Sequence, residues 1–326
     1  MIGRPRARRA APWLVGLLAA LVAVTVAGAL WRSREPPAGR FAAPLPSPVI
    51  VAQGVSSANA EHVFFDPARD FAMMRPVFNA VSLLPGDPAL VALARRAGLA
   101  VVLEFDYKNE FFAGEDISEK VARVVEQIRA HPRTVSAIHV ADRLNEKYTA
   151  EEGLRYLEAT GGVFHQEVPG VPVLANTPDW ELTCGLPDQR SCENNDPRFA
   201  HETNATLDRF HDSGHLDGLS ISNNLKNFDA KAQRTAWKRA RERWPEPFIL
   251  WSTSSQLSFG ADTHDGTPDP VLATDAYMRA PMDEGAQGLA IWAWHQLYDG
   301  EVYTFLNKDG STNPVWERMA AVAKQL

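Results

Sequence analysis

Cysteine is nearly absent: Cys184 and Cys192 are the only two in 326 residues. So small a number excludes a disulfide framework and a Cys-rich zinc site, and no pair of histidines with ligand spacing stands near them. It leaves room for one disulfide, Cys184–Cys192, which an oxidising compartment favours and which would brace a single loop. Also missing are a Gly-x-Ser-x-Gly elbow, a His-Glu-x-x-His pair and a phosphate loop, which sets aside three large hydrolase and nucleotide-binding classes. The turn Gln53-Gly54-Val55-Ser56-Ser57 lacks the glycine spacing of a dinucleotide fold. No fixed-period repeat runs through the chain. Nothing implies a cofactor.

Positive charge is scarce after the first forty residues. Residues 1–40 carry seven Arg and one Glu, so the chain's net −7 leaves −13 on residues 41–326. A domain that acidic does not hold nucleic acid by counterion release. The N-terminus reads differently. Arg4, Arg6, Arg8 and Arg9 form a basic region over residues 1–12, and an uncharged apolar stretch follows over 13–31, closed by Arg32 and Arg34. Its eighteen residues from Trp13 to Leu30 rise about 27 Å as a helix, enough to cross a hydrocarbon core. The basic side stays in the cytoplasm, so the rest lies outside it. Cleavage at Ala27-Gly28-Ala29 would instead release a secreted protein. Residues 32–46, rich in Pro and Ala, read as a linker.

From residue 47 on, eight short apolar runs recur: 48–53, 77–83, 99–105, 135–140, 171–175, 218–222, 248–252 and 288–293. Helical stretches separate them, at 88–96, 116–130, 149–158, 231–244, 270–284 and 313–324. The clearest is 116–130, with Ile117, Val121, Val124, Val125 and Ile128 on one face, and Thr149 with Glu152 forms a capping box. The connection after the first run and the 176–215 segment read as irregular. Strands so spaced should be parallel. Eight units in residues 47–326 predict an α/β fold of one domain, a (β/α)8 TIM barrel, with its active site at the C-terminal ends of the strands.

Those strand ends carry the polar residues. Period 2 turns Glu104 and Asp106 to one face of strand 3 and Leu103 and Phe105 toward the helices. An inward carboxylate is costly unless it is paired or used, and His139 or Lys108 offers Glu104 a partner. Strand 4 runs into Asp142, Asn145 and Glu146, and strand 5 into Asn176 and then Trp180. Strand 6 alternates Ser220, Ser222 and Asn224 inward, and strand 8 leads to Trp292, Trp294, Gln296 and Tyr298. Carboxylates, amides and aromatics in one mouth suit a polysaccharide or oligosaccharide: rings pack on sugar C–H faces, amides meet hydroxyls, and two carboxyl groups can cleave the glycosidic bond.

Two stretches bear a family likeness. Asn145-Glu146, just past strand 4, resembles the Asn-Glu pair that supplies the acid/base in the glycoside hydrolase clan of (β/α)8 barrels. The run Gly288-Leu289-Ala290-Ile291-Trp292-Ala293-Trp294, followed by Gly300, Tyr303 and Asp309-Gly310, is similar to that clan's eighth unit. The resemblance implies a hydrolase. The clan's nucleophile, a Glu ending strand 7, has no counterpart in residues 248–255. Asp142 sits closer to its strand than Glu146, as in distant barrel families with an acid directly after strand 4.

The expected catalytic residues are therefore Glu104, Asp142 and Glu146, with Asp142 or Glu146 as proton donor. Asp106, Asn145, Asn176, Trp180, Asn224, Trp292, Trp294, Gln296 and Tyr298 are the expected substrate contacts. An inverting enzyme would use Glu104 or Asp106 as base; a retaining one would recruit Asp262 or Asp265 from the loop after strand 7. A barrel that binds glycan or a protein partner without cleaving anything is the alternative. In either case the membrane is met only through the N-terminal segment.

Overall fold

The computed structural model describes residues 41–53, 55, 66–144, 148–178, 203–224, 230–255, 270–292, 294–298, 301–305 and 311–326. The chain divides into the units Met1–Gly39 and Arg40–Leu326. The first, with the apolar stretch 13–31, lies outside the described residues, as do Cys184 and Cys192. Among the described residues, no helix is long and apolar enough to cross a membrane.

Eight parallel strands close into a barrel in sequence order: β1 (Val49–Ala52), β2 (Ala80–Leu83), β3 (Ala100–Glu104), β4 (Ala137–Ala141), β5 (Val173–Pro178), β6 (Gly218–Asn224), β7 (Ile249–Ser255) and β8 (Gly288–Ile291). Each overlaps one of the expected runs, and β4, β5, β6 and β7 continue past theirs, to Ala141, Pro178, Asn224 and Ser255. Closure is made by β1 on β8, in register from Val49↔Gly288 to Ala52↔Ile291. The seam is tight, because a Cβ on Gly288 would meet Val49 Cγ1 at 2.1 Å and Val49 O at 2.9 Å.

Alternation along the strands divides the core in two. One cluster consists of strand residues alone, with Val49, Val51, Ala80, Ala100, Val102, Ala137, Leu174, Trp251 and Ala290, and it fills the barrel. The other joins Leu103, Phe105, Ile138, Leu219 and Ile221 to helix residues such as Val121, Val124 and Trp237. Trp251, 2% exposed, belongs to the filling.

Helices α1 (Pro67–Met74), α2 (Pro88–Arg96), α3 (Lys108–Phe112), α4 (Ser118–Ala130), α5 (Ala150–Leu157), α6 (Val163–Glu167), α7 (Thr203–Asp212), α8 (Ala230–Arg243), α9 (Pro270–Asp283) and α10 (Pro314–Ala323) lie between and after the strands. Three start alike: Asp66, Asp87 and Asn313 each accept a backbone N–H of the first turn, and each is followed by a proline that needs no acceptor. The Thr149–Glu152 capping box is formed at α5.

Three features differ from expectation. Helix α7 lies in the segment read as irregular, its apolar stripe reduced to a few residues such as Leu207 and Phe210. An antiparallel pair, β9 (His295–Tyr298) and β10 (Glu301–Thr304), follows β8. The end of the expected linker is part of the domain. Ala43 is buried, its N–H donates to Val135 O at 2.7 Å, and Arg133 N–H donates to Phe41 O at 2.8 Å.

Candidate functional site

Glu104 is the last residue of β3, and its inward direction puts it at the rim of the apolar filling. Three neighbouring strands serve it. Gln53, one residue past β1, donates from Nε2 to Oε1 at 3.3 Å. Ser82 of β2 donates from Oγ to the same oxygen at 2.5 Å. His139 of β4, its register partner, places Nδ1 3.1 Å from Oε2. The Glu104 side chain keeps 26% exposure and the His139 side chain 5%. Burial works against the Glu104 charge, but the His139 imidazolium and the donors from Ser82 and Gln53 outweigh it, so the carboxyl titrates below the ordinary glutamate value. Burial likewise opposes the charge on His139; Glu104, then Asp142 and Asp106, outweigh it and raise its pKa. Each thus favours the charged form of the other at the barrel rim. Of the two partners expected for Glu104, His139 is the one used.

Lys108 instead holds Asp106. Its Nζ donates to Asp106 Oδ2 at 2.5 Å, and the Asp142 backbone N–H donates to the same oxygen at 3.1 Å. Asp106 thus ties the end of β3 to the turn after β4. On the other side Arg143 N–H donates to Asn176 O at 3.1 Å, and Arg143 adopts φ 51°. A non-glycine residue in the left-handed region is held there by its surroundings, a feature that clusters at functional sites. Asp142 is fixed between these anchors. It is exposed at its surface yet crowded round its base, and the lost hydration raises its pKa. His139, Arg143 and Lys108 oppose the rise and Asp106 adds to it.

On the neighbouring strand, Asn176 of β5 is 4% exposed, and farther round the barrel Ser220 Oγ is hydrogen bonded to Thr253 Oγ1. Aromatic residues flank the β3 and β4 ends: Phe112 stacks on Tyr148 with centroids 3.8 Å apart, and Tyr148 donates to Asn109 Oδ1 at 3.0 Å.

The structure therefore brings Glu104, Asp106 and Asp142 together around His139, with Asn176 on the next strand. Trp292 is half-buried. Trp294 is a correction. Expected as a sugar platform, it is 0% exposed, with its ring 5.1 Å from that of Trp316 and 6.3 Å from those of Phe78 and Phe305. It packs the gap between barrel and α10, where no sugar reaches. Asn145, Glu146, Trp180, Asp262 and Asp265 lie outside the described residues, as do the side chains of Asn224, Gln296 and Tyr298. Gln53, Ser82 and Tyr148 were not anticipated. For Gln53 and Ser82 the available signal was their place near the ends of runs 1 and 2, brought to Glu104 by the pairing of β1, β2 and β3.

No family model matches the chain, and no curated protein matches it in sequence. Solved structures do match it. The exo-β-1,4-mannosidase Op5Man5 from Opitutaceae bacterium strain TAV5 superposes with a TM-score of 0.60 at 12% identity, over 89% of this chain and 61% of the mannosidase. This chain therefore spans about three fifths of that enzyme's length. GH5_18 from Streptomyces cattleya, solved as a variant in complex with Manβ1-4GlcNAc, gives 0.58 at 14% identity, over 86% of this chain and 81% of that one. Xylanase A of P. fluorescens subsp. cellulosa, a variant in complex with xylopentaose, gives 0.53 at 11%, over 86% and 98%. The likeness is one of fold: a distant, glycosidase-like (β/α)8 barrel.

Proposed function

We propose that this protein is a glycoside hydrolase-like enzyme acting on a polysaccharide or oligosaccharide at the C-terminal mouth of its barrel. One observation carries the reading: Glu104, Asp106 and Asp142 converge on His139 at the ends of adjacent strands, and two of them are pushed in opposite directions, Glu104 toward the ionised form and Asp142 toward the protonated one. Two carboxyl groups whose proton affinities are pushed apart are what acid and base catalysis need. Asp142 would protonate the leaving oxygen, while Glu104 or Asp106 would take a proton from the attacking water, giving inversion. Glu146 is the other candidate donor, and Asp262 or Asp265 would serve a retaining route. Asn145, Asn176, Trp180, Asn224, Trp292, Gln296 and Tyr298 are the proposed sugar contacts. The glycans carried by the xylanase and the Streptomyces protein support the substrate class. The basic and apolar N-terminus supports a barrel outside the cytoplasm, anchored or released, where a Cys184–Cys192 disulfide could form.

A second reading has its own support. Glu104 is fully engaged by Gln53, Ser82 and His139, as a structural carboxylate would be, and that favours a barrel that binds glycan without cleaving it. Reducing-sugar release from a panel of mannans, xylans and envelope polysaccharides separates the two. The hydrolase reading expects release by the wild type and a fall of about 10²–10⁴-fold in Asp142→Asn or Glu146→Gln, the usual worth of a general acid. Binding without release, unchanged in Glu104→Gln, Asp142→Asn and Glu146→Gln, would leave the binding barrel.

A further inference from the structure

Two buried polar atoms in the mouth, on neighbouring strands, have no hydrogen-bond partner: His139 Nε2 on β4 and Asn176 Oδ1 on β5. Each residue is 4% exposed. The register His139↔Leu174 and Ala141↔Ala175 sets Asn176 on the strand beside His139, one step past Ala175. Buried groups of this kind are ordinarily paired, so two adjacent exceptions need an explanation.

Their chemistry is complementary. His139 Nδ1 lies 3.1 Å from the Glu104 carboxylate, and whenever the ring is protonated, the form that carboxylate favours, Nε2 carries a hydrogen and can only donate. Asn176 Oδ1 can only accept. The missing partner must therefore accept one hydrogen bond and donate another. A carboxylate or phosphate donates nothing and would meet Glu104. An ammonium group accepts nothing and would meet the His139 cation. A neutral hydroxyl does both. Below the pair lies the apolar filling of Val102, Ala137, Leu174 and Trp251, so the hydroxyl enters from the mouth above. Both atoms are shut off from bulk solvent, and reaching them takes a side-chain rotation, as is common when a ligand seats.

We propose that His139 and Asn176 form the floor of a sugar subsite, where Nε2–H donates to a hydroxyl of a bound sugar and that hydroxyl donates to Asn176 Oδ1. The inference rests on the glycan reading of the mouth and sharpens it by naming the group the floor takes, a neutral hydroxyl set between a donor and an acceptor. His139 is a binding and positioning residue here, acting on Glu104 through Nδ1 and on the sugar through Nε2.

The test is a titration of the full-length protein, labelled with ¹⁵N-histidine, with glucose, mannose, xylose, N-acetylglucosamine and their β-1,4-linked oligomers. His139 signals are assigned by their loss in His139→Gln. The expected result is a shift of the His139 Nε2 resonance by one of these sugars, with Nδ1 little moved. Asn176→Ala should weaken that sugar about five- to tenfold, the worth of one hydrogen bond, without removing the Nδ1 signal of the ion pair. The wild-type spectrum needs no variant to fold. A sugar that binds while both His139 signals stay still, with equal affinity for Asn176→Ala, would overturn the subsite and leave the glycan reading standing. No binding by any probe would overturn both.

Discussion

Glu104 and His139 carry opposite charges at the barrel rim, and their titrations limit stability from opposite sides. The pKa of His139 is raised above 6.5 in the folded protein, so its contribution is complete below about pH 6.5 and is lost as pH rises through the folded value. That of Glu104 is lowered below 4.5, so its contribution is complete above about pH 4.5 and is lost as pH falls through the folded value. Both are whole between those limits. Asp142 and Asp106 also face His139 and act in the same direction on it. The melting temperature of Glu104→Gln should therefore drop by several degrees at pH 5.5 and by less at a pH above the folded pKa of His139, where its imidazole has lost the charge. An equal drop at both would show that the charge plays no part. Asp142 behaves in the reverse sense. Its pKa is raised above 3.8, so the folded protein pays a penalty once the carboxyl ionises. At neutral pH Asp142→Asn should melt higher than the wild type while losing glycan cleavage; a lower melting temperature would mean that Asp142 supports the fold.

Among the elements, the strands of the barrel were legible because each is a short apolar run bounded by breakers, and the alternation of Glu104 and Asp106 against Leu103 and Phe105 gave the inward face. The hydrogen bonds at the site were less so. Gln53 lies 51 residues from Glu104 in the chain and Ser82 22, and only the barrel's register brings them together. Asp299-Gly300 between two apolar-polar runs was a usable hairpin signal for β9 and β10. Trp294 misled because Trp292 and Trp294 share one face of an extended run, while the partner that buries Trp294, Trp316 of α10, comes 22 residues later. The seam between β1 and β8 yields a sharper expectation. Gly288→Ala would force a methyl group into Val49, and overpacking of this sort costs about 1–3 kcal/mol or more. A fall of about 3–10 °C in melting temperature should follow, and a change below one degree would mean that the seam gives way freely.

On the scale of the whole molecule, α10 covers one side of the barrel: Val315, Trp316, Met319 and Val322 are buried, over Phe78, Trp294 and Phe305. Ending the chain at residue 312 should leave those rings exposed, and we expect strong binding of a hydrophobic dye and no cooperative melting. A truncated chain that melts sharply would show that the barrel stands without its last helix.

The pairing of β1 with β8 also bears on how the protein is made. Val49 and Gly288 are about 240 residues apart, and a ribosome adding about 5–20 residues per second takes roughly 12–50 s to cover that distance. Throughout that time β1 has one neighbour to pair with instead of two, and a parallel edge stands open. A nascent chain with that edge open should therefore bind holding chaperones until its final tenth emerges.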